Sequence, residues 1–468
     1  MLIGIYRIIK GVNLAYLQNS ELPNLNSCNV VVIGMGYVGL PLALEIAKNN
    51  SCLLTSKEIR REVIGYDINN SRIEELKKGL DLNNIFTKDV FDNLENISFT
   101  NNKAFIRNID VYIVAVPTPI DQKNEPNLTY LKQASQIIGE SLKNRSNEKG
   151  NPIIIFESTV YPGVTEEICI PIIEDVSCLK HNSEDFNNSF YCGYSPERIN
   201  PGDKEHTISK IVKVTSGCNS KVSNWINNFY GSFISAGTFE AASIMVAEAA
   251  KIIENTQRDI NIALINELAI IFKKLNLRTK DVLDAADTKW NFQKYMPGLV
   301  GGHCIGVDPY YLNFKSREIG YETKLISAGR KINDSMHLYL LDQIISHIKN
   351  RKYNFKKEEV LLLGLSYKSN CGDIRNSQLV NLANNIKINN MGITIVDPKV
   401  NKENTLINKG LNCFASIPKN KKYTIIIYAL NHKEFEFLDN NELLKISYNN
   451  TFIFDLTNNL IGENIIHL

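Results

Sequence analysis

The chain has 468 residues, of which 44% are hydrophobic and 22% charged, a composition typical of a globular protein with two or three domains. Its 52 Lys and Arg residues nearly balance its 50 Asp and Glu residues, which excludes a strongly basic surface that would attract nucleic acid or anionic membranes. From this charge balance we expect no nucleic-acid partner. No apolar run approaches the roughly 20 residues that a membrane-spanning helix needs, so we also expect no membrane span.

The nine cysteines are scattered, and none forms a pair at the spacing of a zinc finger. We therefore predict a reduced, cytoplasmic chain without a metal site. Residues 1–28 are expected to be an N-terminal extension. Its apolar start is interrupted by Arg7 and Lys10, which favours a frayed segment over a secretory signal, with an interfacial amphipathic helix as the alternative.

The first predicted element is a strand at residues 30–33, which runs directly into a glycine-rich turn. A helix with apolar residues at helical spacing follows at residues 40–48. This order of strand, G-x-G-x-x-G turn and helix predicts a dinucleotide-binding unit, against the alternative of a coincidental turn. The candidate cofactor contacts in the turn are Gly34, Gly36, Tyr37, Val38 and Gly39.

The next predicted strand, residues 63–67, ends in Asp67. A carboxylate here accepts hydrogen bonds from the adenosine ribose and repels a 2′-phosphate, so Asp67 favours NAD over NADP. A solvated acid at a strand end is the alternative. The interval from Gly39 exceeds the usual spacing of about 20 residues, and we assign the excess to a polar insertion at residues 51–62. Arg72, in the next helix, is a candidate contact on the adenosine side.

Two further apolar strands are predicted at residues 111–116 and 152–156. Each is followed by a hydroxyl-bearing segment, which contains Thr118 after the first strand and Thr159 after the second. Ligands of open parallel sheets lie beyond the carboxyl ends of the strands, so both threonines are candidates to face cofactor or substrate. Helix capping is the alternative for either residue.

A long helix is predicted at residues 239–276, a stretch without Pro or Gly. It can join two domains and provide a dimerisation surface. Lys251 and Asn255 are four residues apart on it, so an ammonium and an amide can converge on one oxygen. A solvated lysine is the alternative reading of Lys251. A second long helix is predicted at residues 324–350.

Between these helices lies Cys304, preceded by Gly301 and Gly302 and followed four residues later by Asp308. Glycines allow a ligand to approach the backbone closely, and a thiol in that setting is a candidate covalent nucleophile. A buried cysteine that acts as a small hydrophobe is the alternative. The absence of a periodic apolar run around Cys304 favours the nucleophile.

The last part of the chain predicts a second α/β unit, with strands at residues 360–364, 394–396, 423–430 and 451–456. The fold class is thus α/β, with two Rossmann-like doubly wound domains joined by a long central helix and a helical dimerisation region. The predicted parts are the extension 1–28, an NAD-binding domain 29–238, a central helical domain with the cysteine loop 239–350, and a second Rossmann-like domain 351–468.

These motifs, in this order, resemble the UDP-glucose/GDP-mannose dehydrogenase family, and especially its bacterial branch acting on UDP-N-acetylglucosamine or UDP-N-acetylgalactosamine. Beyond the glycine turn, the matching segments are residues 116–119, 157–160, 195–198, Lys251 with Asn255, 301–304 with Asp308, and Lys368 with Asp373 and Arg375. The resemblance implies a four-electron oxidation of the sugar 6-hydroxyl to a carboxylate with two NAD and one water, in a homodimer or higher homo-oligomer.

The resemblance also implies residue roles. Cys304 would form the thiohemiacetal and thioester, and Lys251 with Asn255 would stabilise the oxyanions. Asp308 would help to hold the catalytic water, which Glu197 and Thr159 would position or deprotonate. The implied substrate contacts are Glu197, Arg198, Lys251, Asn255, Gly301 and Lys368. Domain 351–468 would be the UDP-sugar-binding domain, from which Arg375 would reach the cofactor side.

Three departures from the hexose-oxidising relatives lie near the sugar. Glu157 stands where those relatives often have Lys, Pro201 where many have a second glutamate, and residues 288–290 where an Arg is common. We therefore favour an N-acetylated hexosamine as the sugar, with UDP-glucose or UDP-N-acetylmannosamine as the alternative substrate; these departures do not distinguish the gluco, galacto and manno epimers. A two-electron hydroxy-acid dehydrogenase would need no essential thiol, and a non-catalytic NAD-sensing oligomer would need neither Cys304 nor Lys251.

Overall fold

The computed structural model describes residues 21–81, 86–143, 145, 150–185, 188–199, 205, 207–302, 304–350, 359–400 and 410–468. The contacts within the chain define two compact units, Met1–Thr118 with Asn127–Lys251 and Pro119–Pro126 with Ile252–Leu468. Residues 1–20 of the predicted extension, and Pro201 among the departures near the sugar, lie outside the described residues.

The first unit is built on a nine-stranded sheet with the order β3-β2-β1-β4-β5-β7-β8-β9, in which β6 pairs with β7. Neighbouring strands are parallel except β7 and β8, which are antiparallel. The strands are β1 Val30–Ile33, β2 Val63–Tyr66, β3 Ile97–Thr100, β4 Val111–Val114, β5 Ile153–Phe156, β6 Lys180–His181, β7 Ser189–Tyr194, β8 Lys213–Gly217 and β9 Thr238–Glu240. The strand order at β3-β2-β1-β4-β5 is that of a Rossmann fold.

Every residue of β1, β4 and β5 is buried, as expected for parallel strands covered on both faces. This explains why their sequences are continuous apolar runs. The helices of this unit are α1 Gly39–Lys48, α2 Asn70–Lys77, α3 Lys88–Asp92, α4 Thr129–Leu142, α5 Ile170–Ser177 and α6 Ser220–Gly231. A π-helical turn, Thr165–Cys169, leads into α5.

The central helix begins later than predicted. Residues 238–240 form the edge strand β9, in which Phe239 pairs with Val214, and α7 then covers Ile244–Lys274. The helix prediction from residue 239 was therefore wrong at its start, because strand pairing takes Phe239 and Glu240. Helices α8 Thr279–Ala286, α9 Asp308–Glu318 and α10 Leu325–Asn350 follow. The bounds of α10 confirm the second predicted long helix to within one residue.

The second unit contains a six-stranded, wholly parallel sheet with the order β12-β11-β10-β13-β14-β15. Its elements are β10 Glu359–Leu363, α11 Gln378–Ile388, β11 Gly392–Val396, β12 Cys413–Phe414, β13 Tyr423–Tyr428, α12 Asn440–Lys445, β14 Ser447–Asp455 and β15 Ile465–His467. Alternate residues of β10 enter two apolar cores, Val360 and Leu362 on one face and Leu361 and Leu363 on the other. The sheet is covered on both faces, and the predicted α/β class with two doubly wound sheets is confirmed.

The end of the predicted extension is packed against the first unit, which contradicts the expectation of fraying for residues 21–28. Leu25 and Cys28 are buried. Trp225 Nε1 donates to the Pro23 carbonyl at 2.9 Å, and Arg61 donates to the Leu25 carbonyl through Nε at 3.0 Å and Nη2 at 2.6 Å. Arg61 comes from the predicted polar insertion, so that insertion also supplies a buried contact to the unit.

Candidate active site

The glycine turn after β1 is closely packed at two of its glycines and open at the third. Gly34 has a φ of +100°, and a Cβ added there would lie 2.6 Å from the Ala115 carbonyl oxygen. A Cβ at Gly39 would lie 1.8 Å from the Gly34 oxygen, whereas a Cβ at Gly36 would meet no atom within 4 Å. The first and third glycines are thus needed for packing, and the second leaves its side of the turn open. Tyr37 and Val38 lie between them and are partly exposed.

Asp67 and Arg72 hold the backbone of this turn from two sides. Asp67 Oδ2 accepts from the Met35 N–H at 2.8 Å, and Oδ1 accepts from the Asn69 N–H at 2.8 Å. Arg72 is buried; its Nε donates to the Met35 carbonyl at 2.8 Å and its Nη1 lies 2.8 Å from Asp81 Oδ1. Both residues therefore have a structural role at the turn, and their contacts with cofactor stay predictions.

The two threonines predicted at strand ends are brought together. The Thr118 hydroxyl donates to the Thr159 carbonyl at 2.7 Å, and the Ser158 hydroxyl donates to the Val116 carbonyl at 2.8 Å. These bonds tie the loop after β4 to the loop after β5. Thr118 does not cap α4, which begins eleven residues later at Thr129. The structure thus places both residues at the carboxyl edge of the first sheet.

A buried cluster of charges surrounds Glu197. Glu197 Oε1 accepts from the Ile199 N–H at 2.6 Å, and its Oε2 lies 3.2 Å from Lys213 Nζ. Lys213 Nζ also lies 2.9 Å from Glu157 Oε2, and the Tyr230 hydroxyl donates to Glu157 Oε1. The side chains of Lys213, Glu157 and Glu197 are only 4%, 0% and 7% exposed. Glu157, for which the sequence suggested no role, is a counter-ion of Lys213.

The charges in this cluster depend on one another. Burial raises the pKa of Glu157, against the attraction of Lys213, and the charge of Glu197 adds to the rise. Burial alone would lower the pKa of Lys213, but the two carboxylates outweigh it and raise that pKa. Lys213 therefore remains protonated. Sequence reasoning missed both Lys213 and Tyr230; the available signal was a lysine inside the apolar run 211–214.

Arg198 and Glu248 connect loops of the first unit to α7. The Arg198 guanidinium donates to the carbonyls of Lys251 and Ala250 at 3.1 and 3.0 Å. Glu248, one turn before Lys251, accepts from the Gly163 N–H at 2.6 Å, and from the Thr165 N–H at 3.0 Å and hydroxyl at 2.6 Å. Burial raises the pKa of Glu248 to about 7. The Lys251 side chain is itself buried, which argues against the solvated alternative.

In the second unit, Asn255, Asp308 and Cys304 are linked. Asn255 Nδ2 donates to Asp308 Oδ2 at 2.6 Å, and both residues are buried. Asp308 opens α9, and its N–H donates to the Cys304 carbonyl at 2.8 Å. Cys304 itself is exposed, so the alternative of a buried small hydrophobe is wrong.

The loop before the cysteine is anchored within the same unit. A Cβ on Gly301 would lie 2.7 Å from the Asn376 carbonyl oxygen, and one on Gly302, whose φ is +88°, would lie 2.7 Å from the Tyr367 ring. Asn376 Nδ2 also donates to the Gly302 carbonyl at 3.2 Å. These glycines are therefore required by packing against the chain itself, a reason that the sequence did not suggest.

Beside this loop, a cavity of about 190 Å³ opens at the carboxyl ends of β10, β13 and β14. It is lined by Gly298, Leu299, Gly301, Ser366, Tyr367, Ser377, Gln378, Leu379, Ala429, Leu430 and Leu456. Lys368 follows Tyr367 in the loop after β10, and its Nζ lies 5.6 Å from the centre of that ring. Arg375 is 55% exposed and forms a two-point ion pair with Asp373 in the same loop.

In the described part of the chain, none of the helices is both long and apolar enough to cross a membrane. Over the same residues, no group of three or more His, Cys, Asp or Glu side chains is arranged to hold a metal ion.

The Rossmann-type sheet and open glycine turn are the features of an NAD-dependent dehydrogenase. The similarity to a known family defines the particular kind of dehydrogenase. Residues 28–234 match the NAD binding domain of the UDP-glucose/GDP-mannose dehydrogenase family, residues 245–335 its central domain, and residues 361–461 its UDP binding domain. The chain belongs to this family of NAD-dependent UDP-sugar dehydrogenases.

Individual relatives are similar over almost their whole length. The chain is 45% identical to UDP-N-acetyl-D-glucosamine 6-dehydrogenase of Pseudomonas aeruginosa over 432 residues, which are 92% of this chain and 97% of the relative. It is 43% identical to the enzyme of the same name from Salmonella typhi, over 92% of this chain and 96% of the relative. The solved structure of a UDP-N-acetyl-D-mannosamine dehydrogenase from Pyrococcus horikoshii is similar with a TM-score of 0.78 at 25% identity, covering 94% of this chain and 98% of that one.

Proposed function

We propose that this protein oxidises the 6-hydroxyl of a UDP-N-acetylhexosamine to a carboxylate, with UDP-N-acetylglucosamine or UDP-N-acetylgalactosamine as substrate, in surface-polysaccharide biosynthesis. The observation that carries the proposal is the 45% identity, over 97% of its length, to a UDP-N-acetyl-D-glucosamine 6-dehydrogenase. The reaction converts the alcohol, two NAD⁺ and one water to the carboxylate, two NADH and three protons.

The cofactor would be held by the glycine turn with Asp67, Arg72, Thr118, Thr159 and Arg375. The open side of Gly36 supports this assignment, because a close approach to the backbone is possible there. NAD, when bound, would supply the hydride acceptor for each of the two oxidations, the first of which converts the alcohol to an aldehyde. The chain itself must supply proton transfer, stabilisation of oxyanions, a nucleophile and a positioned water.

Cys304 is the proposed nucleophile. Its thiolate forms a C–S bond to the aldehyde carbon, which gives a thiohemiacetal, and loss of the second hydride from that carbon leaves a thioester. Lys251 and Asn255, one turn apart on α7, stabilise the oxyanions; removal of one such donor commonly costs about 3–4 kcal/mol in the transition state. The exposed thiol before α9 supports the role of Cys304.

Water ends the reaction by attack on the thioester carbon, which breaks the C–S bond and releases the Cys304 thiolate. We assign the water to Asp308, Glu197 and Thr159, with the carboxylates as acceptors of its protons. Asp308 is supported by its hydrogen bond to Asn255, which fixes the carboxylate. Arg198, Gly301 and Lys368 complete the proposed substrate contacts.

The choice of an acetamido sugar is supported by the segment 288–290, which departs from the hexose-oxidising pattern and ends in Trp290, 92% exposed. Several UDP-N-acetyl-D-mannosamine dehydrogenases are also relatives, at 27–32% identity, so the manno epimer is the second candidate. A site built to bind an acetamido group should discriminate strongly against sugars that lack it, because its buried polar partners would be left without hydrogen bonds.

A panel of UDP-sugars, followed by NADH absorbance, tests the proposal. UDP-N-acetylglucosamine or UDP-N-acetylgalactosamine should give the highest kcat/KM, with two NADH formed per sugar consumed. If UDP-glucose or UDP-N-acetylmannosamine is the best substrate, the assignment to UDP-N-acetylglucosamine or UDP-N-acetylgalactosamine is wrong, but the proposed reaction type stands. One NADH per sugar would overturn the four-electron reaction, and no NADH from any sugar would favour the NAD-sensing oligomer.

We also propose that the domain boundaries lie at residues 28, 238 and 350, and that the protein works in the cytoplasm. In addition, we propose that it forms a homodimer or higher homo-oligomer. The oligomer is supported by α7, where Ile253, Leu264 and Ile271 are 62%, 53% and 45% exposed. These residues are spaced by eleven and seven, so they form one apolar stripe along the helix. Light scattering of the purified chain would reveal a monomer if this is wrong.

A further inference from the structure

Lys213 is a buried lysine whose three N–H donors are all used within the first unit. Nζ lies 2.9 Å from Glu157 Oε2, 3.2 Å from Glu197 Oε2 and 3.2 Å from the Pro196 carbonyl oxygen. An ammonium has three donors and no acceptor, so this set satisfies it completely. Lys213 therefore has no donor left to offer a substrate, and any effect on the chemistry must act through the groups that it holds.

The group most affected is the Glu197 carboxylate. Its Oε1 accepts from the backbone N–H groups of Arg198 and Ile199, and its Oε2 accepts from Lys213. A carboxylate offers about four acceptor positions, so these contacts use three of them and leave one on Oε2. The lysine and the backbone thus determine both the orientation of the carboxylate and the direction of its remaining lone pair.

Glu157 in turn holds Lys213. It is fully buried at the end of β5, and its other oxygen accepts from the Tyr230 hydroxyl on α6. A single buried ammonium therefore faces two carboxylates, and each carboxylate changes the field that the other experiences. Among the described residues, the titratable side chains of this cluster besides Glu197 are Lys213 on β8, Glu157 after β5 and Tyr230 on α6, with Arg198 next to Glu197 in the chain.

We propose that Lys213 is a positioning residue for Glu197, and that Glu157 sets the strength of this interaction by sharing the ammonium. The proposal rests on the proposed function, in which Glu197 positions or deprotonates the catalytic water. In that role the carboxylate must be ionised and must keep a fixed orientation. Lys213 supplies the fixed orientation and places a positive charge beside the carboxylate, and Glu157 weakens the attraction between them by sharing the ammonium.

Two variants should move the acid limb of the pH profile of kcat in opposite directions. Lys213→Met removes the positive charge beside Glu197, so the carboxylate gains a proton at higher pH and the acid limb shifts upward by about one unit or more. Glu157→Gln removes the competing negative charge, so Lys213 stabilises ionised Glu197 more strongly and the acid limb shifts downward. A purely structural role would give no such pair of opposite shifts.

The matched control is Arg145→Met. Arg145 Nη2 lies 3.0 Å from Asp110 Oδ1, and the two side chains are 5% and 13% exposed, so this is also a buried ion pair of the first unit. Asp110 precedes β4 and thus lies at the amino edge of the sheet, opposite the candidate site. Arg145→Met should lower thermal stability about as Lys213→Met does, and leave kcat and its pH profile unchanged.

For Lys213→Met we expect kcat to fall about 100-fold, with KM for the UDP-sugar changed less than about threefold, because activation of the water by the oriented carboxylate occurs only in the transition state, whereas Glu197 is one of six proposed substrate contacts. Unshifted acid limbs in both variants, shifts in the same direction, or a loss of kcat no larger than in Arg145→Met would each overturn the proposal. The wild-type enzyme is assayed first. Failure there to oxidise any UDP-sugar would overturn the proposed function itself, which separates the two failures.

Discussion

Asn266, which is fully buried on α7, links that helix to the loop that carries the cysteine. Its Oδ1 accepts from the Gly298 N–H at 2.8 Å, and its Nδ2 donates to the Gly298 carbonyl at 3.0 Å and to Asn333 Oδ1 at 2.8 Å. Asn333 is held in turn by Asp259. Gly298 precedes Cys304 by six residues, so the Asn266 amide fixes the start of the cysteine loop.

We expect Asn266→Ala to lower the free energy of unfolding by about 2–4 kcal/mol. Three neutral hydrogen bonds contribute about 0.5–1.5 kcal/mol each, and alanine leaves the part-buried N–H and carbonyl oxygen of Gly298 and the buried amide oxygen of Asn333 without these partners. A loosened loop should also misplace the thiol. A displacement of about 1 Å in a catalytic group can cost about 100-fold in rate, so we expect kcat to fall by about 10-fold to 100-fold.

Urea unfolding of the full chain, followed by circular dichroism, measures the first effect, and steady-state kinetics with the best UDP-sugar measures the second. The control is Asn389→Ala at the end of α11, where Nδ2 donates at 2.8 Å to the Asn385 carbonyl of the same helix. It should cost stability without changing kcat. Wild-type kcat in Asn266→Ala, together with the loss of stability, would refute the positioning of the cysteine loop by this amide.

Three further outcomes are expected. Cys304→Ser should fail to complete the oxidation, since a hydroxyl is a weaker nucleophile; full wild-type yield of the acid would rule out the covalent route. Asp67→Asn should raise the kcat/KM ratio of NADP to NAD by at least about tenfold, because the charge that repels a 2′-phosphate is gone; an unchanged ratio would remove Asp67 from cofactor selection. Burial raises the pKa of Glu248 from 4.5 to about 7, so the native state favours its protonated form. Stability from this source is present below pH 4.5 and is lost as the pH rises through about 7. The loss amounts to about 3 kcal/mol, and Glu248→Gln should flatten this part of the stability curve; an unchanged curve would contradict the raised pKa.

The elements that the sequence predicted well are those whose burial dictates their composition. Strands β1, β4 and β5 are buried on both faces, so each is an unbroken apolar run that periodicity detects. The start of α7 was predicted wrongly because Phe239 and Glu240 join an edge strand through pairing with β8. Helical periodicity carries no information about a partner strand that lies more than twenty residues earlier.

The residues of the candidate site also fall into those that the sequence could predict and those that it could not. Cys304, Lys251 and Asp308 stand in recognisable local motifs, and the structure adds their burial or exposure and their partners. The pair formed by Glu157 and Lys213 could not be predicted, because its members are 56 residues apart in the chain. Each looks ordinary in its own segment, and only the sheet, in which β5 and β8 flank β7, brings them into contact.

A carboxylate after the second parallel strand has a structural role in both units. In the first unit Gly34, with φ of +100°, donates to the Tyr66 carbonyl, and Asp67 accepts from the N–H of Met35. In the second, Gly364, with φ of +102°, donates to the Val396 carbonyl, and Asp397 accepts from the N–H groups of Leu365 and Ser366 at 2.8 and 3.0 Å. The presence of an acid at this position is therefore explained by the turn alone. Any selection of NAD by Asp67 would have to come from its charge. Asp397→Asn is the matched control: it disturbs the equivalent turn and should leave the kcat/KM ratio of NADP to NAD unchanged, whereas Asp67→Asn should raise it.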